Sequence, residues 1–245
     1  APFLDRFIKK HAGTPDLVLS FLIPADRVMA FSKLENVHFV IQNTLSLAVA
    51  SYYPKARRGI YIRKPSICSS YGVEKDMRAV LGGILSKKIT TIHNPIDPKE
   101  VEETACESPD DIIPNAIICV GKFKEQKRQD RLIRAFAAID CQEPLVFIGQ
   151  GPLIQDARDL AKHLGIKERV HFMGFRKNPY PYMKAARLHV LCSDYEGLGV
   201  VLLESICLKT PTISSDCPSG PNEILPPENL FETNNLDDFI QLLEK

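Results

Sequence analysis

The sequence predicts an α/β protein made of two parallel-sheet domains. Three observations carry this. Short apolar runs alternate with helix-competent segments at regular intervals, the pattern of parallel βαβ units with right-handed crossovers. Runs such as Asp16–Phe21, Ala116–Val120 and Leu145–Gly149 are continuous in apolar residues, as strands covered on both faces are. The stretch Pro98–Asp111 is acidic, poor in apolar residues and contains Pro109, the composition of a linker. The boundary is therefore expected there, giving domains 1–108 and 109–245.

In the first half, Phe3-Leu4 and Phe7-Ile8 read as the tail of a helix. Asp16–Phe21 is the first strand. Pro24 opens a helix to about Phe31, since its fixed φ suits a first turn. Val37–Ile41 is the next strand, with His38 read as a packed histidine and not a base. Gln42-Asn43-Thr44 are expected to cap the helix Leu45–Tyr52 in preference to facing a ligand. Lys55, Arg57, Arg58, Arg63 and Lys64 cluster around Tyr61. A solvated face is favoured over a peripheral contact with an anionic membrane, because the charges form no helical stripe. Pro65–Ser70 is a short strand, Ser70 caps the helix that runs to Leu81, and Gly82-Gly83 stop it. Lys88–His93 is a strand, and Asn94–Asp97 a turn.

In the second half, Gly121 ends the strand Ala116–Val120, and Lys122 and Lys127 flank the turn before the helix containing Leu132–Phe136. Leu145–Gly149 leads into Gly149-Gln150-Gly151-Pro152, an incomplete dinucleotide fingerprint. A helix Asp156–His163 follows, closed by Gly165. Val170–Met173 is a strand with the turn Gly174-Phe175-Arg176, and Pro179–Ala185 is a short helix. Leu188–Cys192 is a buried strand. After Asp194–Glu204 come a strand (Thr210–Ser214), a tight turn (Asp216–Gly220) and a helix from Glu223. Leu236–Glu244 is an amphipathic helix with Phe239, Leu242 and Leu243 on one face.

The stretch Asp194-Tyr-Glu-Gly-Leu-Gly-Val-Val-Leu-Leu-Glu204 carries the chemistry. It is a strand, a Gly-containing turn and a helix, the place where open α/β sheets bind ligands. Gly197 and Gly199 flank Leu198 and permit close backbone approach to a ligand. The amides of Gly199 and Val200 open the helix and favour phosphate groups. Glu196 lies on the loop, and Glu204 lies a little over one turn into the helix, roughly 6 Å along it at about 1.5 Å per residue. A carboxylate only accepts hydrogen bonds, so Glu204 suits a vicinal diol such as a ribose. Two glutamates at this spacing also occur as solvated surface residues; the strand and the glycines favour a site.

Composition narrows the class. With 245 residues, 44% hydrophobic and 25% charged, the chain is an ordinary globular protein. A net charge of +1 gives no electrostatic case for nucleic acid. No apolar run approaches the roughly 20 residues that span a bilayer. Seven scattered cysteines without C-x-x-C spacing read as reduced thiols of a cytoplasmic protein. The chain lacks an initiating Met and is expected to be a fragment of a longer protein.

Asp194–Glu204 and Ser215–Leu225 together resemble the nucleotide-sugar site of retaining glycosyltransferases of family 4, which have the GT-B fold. Val120-Gly121-Lys122-Phe123, Gln126-Lys127-Arg128 and Leu132–Phe136 are similar to the first strand and helix of that family's donor domain. Phe147–Pro152 and Val170–Gly174 resemble its second and third strands. The resemblance covers residues 112–225 closely and 14–97 loosely. It implies two Rossmann-like domains with a cleft between them, the first an acceptor-side domain incomplete at its start. It implies that Lys122, Lys127 and Glu196 are catalytic. Gly121, Lys122, Lys127, Phe175, Glu196, Gly197, Leu198, Gly199, Val200 and Glu204 would bind the nucleotide sugar, with the Phe175 turn against the base.

Two departures stand out. Most relatives have arginine where Lys122 stands, and a lysine keeps the charge but loses the bidentate fork; Arg128 is the residue expected to compensate. Some relatives carry a histidine near the transferred sugar, where this chain has Ser20-Phe21-Leu22. The implied reaction is transfer of a hexose, with retained configuration, from a nucleoside diphosphate sugar to a glycan or lipid-linked acceptor. UDP is favoured because Asp216–Pro221 resembles bacterial lipopolysaccharide and surface-polysaccharide enzymes. No cofactor besides the donor is implied, and no metal, since no Asp-x-Asp pair is present. The implied location is cytoplasmic, with the inner face of the membrane left open as a place of contact. A nucleotide-binding fragment without transfer activity and a sugar-nucleotide epimerase on the same fold are the alternatives.

Overall fold

The computed structural model describes residues 1–48, 59–82 and 89–245. The chain divides into two compact units, Ala1–Asn94 and Pro95–Lys245. The first contains the helix Pro2–Ala12 and a parallel sheet of β1 (Val18–Phe21), β2 (Val37–Ile41), β3 (Ser66–Cys68) and β4 (Ile89–Thr91), in that spatial order. Val37, Phe39 and Ile41 of β2 point into a core shared with Tyr61, Met77 and Leu81. The edge strand β1 inverts the expected pattern: Leu19 and Phe21 are exposed, and the polar Ser20 is buried. Ser20 Oγ donates to Asp26 Oδ1 at 2.7 Å, and Tyr61 Oη to Asp26 Oδ2 at 3.1 Å. A buried carboxyl with two donors is what keeps a polar residue inside. Burial nevertheless dominates, and the Asp26 carboxyl is pushed up to about 6.

Local chemistry sets the helix ends. Ser70 Oγ accepts from the Val73 amide at 3.1 Å, and Gly82 closes the helix Tyr71–Leu81 with φ 66°. The capping expected of Gln42-Asn43-Thr44 comes instead from a distant residue. Asp76 accepts from the amides of Leu45 and Ser46 at 2.6 and 3.1 Å, because a charged acceptor outcompetes neutral side chains at a positive helix end. Of the basic cluster around Tyr61, Arg63 and Lys64 fall among the described residues. Tyr61 is buried, Arg63 lies over the Phe31 ring, and Lys64 donates to the Leu34 carbonyl at 3.1 Å. Lys55, Arg57, Arg58, the helix end at Tyr52, Gly83 and Lys88 lie outside the described residues.

The second unit is built on six parallel strands in the order β10-β9-β8-β5-β6-β7. These are β5 (Ile117–Val120), β6 (Leu145–Ile148), β7 (Val170–Phe172), β8 (Leu188–Leu191), β9 (Thr212–Ser215) and β10 (Leu230–Phe231). Successive side chains point to opposite faces. Ile117, Phe147 and Val190 join one core with Leu132, Phe136 and Phe239, while Ile118, Val146 and Ile148 join the other with Tyr182 and Met183. Both faces are covered, which accounts for the continuous apolar runs. The order reverses between the adjacent strands β5 and β8, so their carboxyl ends flank a crevice.

The expected linker is part of this unit. Pro98–Thr104 is a helix whose first amides, Lys99 and Glu100, donate to the Asp97 carboxylate at 3.0 and 3.3 Å. Val101 and Ala105, one helical turn apart, are buried against the core of Ile118 and Tyr182. Its acidic residues occupy the outer face, so composition alone mimicked a linker. The second unit accordingly begins at Pro95 and not at residue 109.

The Asp26 carboxyl yields a pH-dependent expectation. Its folded value of about 6 lies above the ordinary carboxyl value of 3.8, so its contribution is complete below about pH 4 and is lost as pH rises through 6. Between pH 4 and pH 7, the stability of Asp26→Asn relative to wild type should shift in the variant's favour by up to about 3 kcal/mol. Denaturant unfolding across that range measures it; a pH-independent difference would contradict the assignment.

Candidate functional site

The loops leaving β5, β6 and β7 are bonded into one floor. Gly121 N donates to the Ile148 carbonyl at 2.9 Å, Phe123 N to Gln150 O at 3.0 Å, and Gly149 N to Gly174 O at 2.8 Å. A side chain at Gly149 would place its Cβ 1.9 Å from the Gly121 carbonyl oxygen, so only glycine permits this approach. Above the floor lies a cavity of about 430 Å³ lined by Gly121, Lys122, Gln150, Phe175 and Pro179. Phe175 is 66% exposed and forms part of its wall. The turn read as an incomplete dinucleotide motif is thus a packing device under a ligand-sized cavity.

Lys127 and Glu196 meet directly. Lys127 lies on the turn Glu125–Lys127 after β5, Glu196 on the turn after β8. Nζ donates to Oε1 at 2.5 Å, with the side chains 17% and 9% exposed. The same Oε1 accepts from Ser193 Oγ at 2.6 Å. Around them the two turns are tied together. Gln126 Nε2 donates to the Tyr195 carbonyl at 2.6 Å, and the Asp194 amide to the Gln126 carbonyl at 2.8 Å. Arg131, itself buried, donates to the Cys192 carbonyl at 2.8 Å and to Asp194 Oδ1 at 2.6 Å. On the far side, Gly220 lies so close to Leu198 that a Cβ there would stand 2.3 Å from its carbonyl oxygen.

The electrostatics favour an anion. Burial, then repulsion from the Lys127 and Lys122 ammoniums, holds the half-buried Lys124 amine below its ordinary value against the opposing pull of Glu196. Three ammoniums therefore share a neighbourhood in which Lys127 already has its carboxylate. Arg128 does not supply the compensating charge expected of it. Its backbone is left-handed (φ 47°), and its guanidinium binds Asp130 at 2.9 Å and Asp194 at 3.2 Å.

Gly199 (φ 81°) precedes the helix Val200–Cys207, whose second turn carries Glu204. Tyr180 Oη donates to Glu204 Oε1 at 3.1 Å. Burial raises the Glu204 carboxyl, with the Tyr180 hydrogen bond opposing. Burial and the neighbouring Glu204 push the Tyr180 phenol up to about 12.

The structure thus groups Gly121, Lys122 and Phe175 around one cavity and bonds Lys127 to Glu196. The turn Gly197-Leu198-Gly199-Val200 runs from Glu196 to the helix of Glu204. Lys127, Glu196 and Glu204 do not line that cavity themselves. Ser193, Lys124 and Tyr180 were not singled out in the sequence. A hydroxyl directly after a central strand is a usable signal for Ser193; nothing local marks Tyr180, which meets Glu204 across 24 residues.

Strand order, crevice and glycine-floored turns define a doubly wound α/β domain with its loops gathered at the carboxyl ends of the central strands. The model for glycosyl transferases group 1 matches residues 108–245, and the chain belongs to that family. It is 30% identical over 185 residues to a lipopolysaccharide 1,6-galactosyltransferase of Salmonella typhimurium, covering 72% of this chain and 50% of that one. It is 31% identical over 166 residues to an N-acetylgalactosamine-N,N'-diacetylbacillosaminyl-diphospho-undecaprenol 4-alpha-N-acetylgalactosaminyltransferase of Campylobacter jejuni, covering 66% and 45%. The chain thus spans half or less of these relatives' lengths. Its fold matches that of Anabaena HepE in complex with UDP and glucose, with a TM-score of 0.80 at 18% identity over 100% of this chain and 71% of that one. The two parallel sheets are those of the GT-B fold.

The ion pair makes a stability prediction. Lys127→Met leaves a nearly buried carboxylate with Ser193 as its remaining side-chain donor and should cost about 2–4 kcal/mol. Adding Glu196→Gln should recover a large part of that loss in denaturant unfolding. Additive losses in the double variant would show that the pair is not coupled.

Proposed function

We propose that this chain carries the donor half of a retaining hexosyltransferase that uses a UDP-sugar and a glycan or lipid-linked acceptor. The observation that carries the reading is the Lys127–Glu196 pair at the strand-order reversal, with Lys122 and Lys124 beside it. The relatives' names supply the substrate class: one is named for galactose transfer in lipopolysaccharide, the other for a diphospho-undecaprenol acceptor. The HepE structure, solved with UDP and glucose, supports uridine.

In this reading the base lies in the cavity against Phe175 and Pro179. Glu204 accepts from the ribose hydroxyls through the oxygen that Tyr180 leaves open. Lys122, Lys127 and the Gly199 and Val200 amides face the diphosphate, and Glu196 orients the sugar hydroxyls. The bond between the anomeric carbon and the β-phosphate oxygen breaks, leaving negative charge on the departing diphosphate. The acceptor hydroxyl oxygen bonds to the same carbon on the same face, and its proton passes to the departing phosphate oxygen. Fixed ammoniums and amides stabilise the charge as it develops, and each such donor is worth about 10²–10³ in rate where it has been removed. Lysines in this number take the neutralising role that a metal plays elsewhere, so we assign no metal to the donor site.

Two measurements test this. In calorimetry, UDP should bind more tightly than GDP, and Glu204→Ala should lower UDP affinity about tenfold, the worth of a charge-assisted hydrogen bond. Unchanged affinity would remove Glu204 from the ribose. UDP binding should also survive EDTA; its abolition on chelation would overturn the metal-free assignment.

A further inference from the structure

We infer that Ser193 is a positioning residue, one that holds the Glu196 carboxylate for the donor sugar once Lys127 is drawn to the diphosphate. The inference rests on the donor reading above. Its observation is that Oε1 of Glu196 receives two donors of different kinds. One is the Lys127 ammonium at 2.5 Å; the other is the Ser193 hydroxyl at 2.6 Å.

The two donors respond differently to an arriving anion. An ammonium has three protons on a flexible stem, and a diphosphate carries more charge than one carboxylate. Lys127 therefore turns part of its hydrogen bonding to the ligand. A neutral hydroxyl feels no such pull. Ser193 is also fully buried and its backbone is fixed: Ser215 Oγ donates to the Ser193 carbonyl at 2.6 Å, and Arg131 grips the preceding carbonyl of Cys192 at 2.8 Å. It holds one carboxylate oxygen in place while Oε2 stays free to accept from a sugar hydroxyl. Without it, Glu196 would lose its remaining anchor at the moment the sugar needs it, and small misplacements of a substrate-positioning group are costly.

Among the described residues, no other neighbour takes this role. The Glu196 amide donates to the Pro218 carbonyl at 3.3 Å, which fixes the main chain and not the carboxylate. Cys217 stands nearby, its thiol pushed up to about 12 by burial with the Glu196 charge adding, but a protonated thiol is a weak donor beside a hydroxyl. Gln126 donates to the Tyr195 carbonyl.

The test compares UDP with UDP-galactose, UDP-glucose and UDP-N-acetylgalactosamine by calorimetry on the full-length protein and its Ser193→Ala and Ser193→Thr variants. Ser193→Ala should keep UDP affinity within about twofold of wild type and weaken the best UDP-sugar about fivefold or more, equivalent to about 1 kcal/mol. Ser193→Thr, which keeps the hydroxyl, should recover most of that loss. A purely structural serine would move UDP and UDP-sugar affinities together, and that outcome overturns the inference. So does a Ser193→Ala protein with both affinities intact, or a Ser193→Thr protein that unfolds at the wild-type temperature and binds no better than Ser193→Ala. A wild type that binds none of the three UDP-sugars overturns the donor reading itself, and this role falls with it.

Discussion

A parallel sheet whose strand order reverses leaves two neighbouring carboxyl ends with their loops running apart, and something has to bridge them. Here that bridge is the contact between Lys127 and Glu196. The same two segments are also tied by Gln126 to the Tyr195 carbonyl and by Arg128 and Arg131 to Asp194, so the ion pair closes a set of polar cross-links. The salt bridge is nearly dry, so its attraction is strong, and so is the desolvation cost on each side. The surrounding residues lower that cost. Ser193 supplies a second donor to the carboxylate, and Gln126 and Arg131 satisfy the carbonyls on either side of it. The pair is therefore both a fastener and a reservoir of charge.

Much of this is legible in the sequence because the fold forces it. Ile117 and Ile118 go to opposite cores, so β5 has to be apolar at every position, and the same holds for β6. Glutamates after a central strand, separated by glycines, were readable for the same reason: topology places that turn at the crevice. What composition concealed is equally physical. Pro98–Thr104 reads as a linker because a short helix needs only Val101 and Ala105 on its inner face and has room for charge elsewhere. The cap on Leu45 was not legible because its acceptor, Asp76, lies 31 residues away on another helix.

Arg128 marks the limit of reading charge from sequence. Next to Lys127, it looks like a spare cation for a diphosphate. The left-handed backbone turns it away, and two aspartates take up its guanidinium. With Arg131 it clamps Asp194, two residues before Glu196. The charge count of a motif thus overstates what faces a ligand. Only geometry separates cations already spent on the protein from those still available.

The lysines that remain differ from arginines in how they would meet a diphosphate. A guanidinium forms two parallel bonds in a fixed plane, whereas an ammonium acts as a point charge on a flexible stem. A site built from Lys122, Lys124 and Lys127 therefore gives less geometric specificity per contact. Orientation has to come from elsewhere: the glycine floor under Gly149, the amides that open the helix at Val200, and the fixed carboxylates of Glu196 and Glu204. In the proposed reaction, an ammonium that swings between Glu196 and a phosphate oxygen would let charge follow the leaving group as it departs. Burial first, and repulsion from Lys127 and Lys122 after it, lower the Lys124 amine, so gathering these ammoniums has an electrostatic cost.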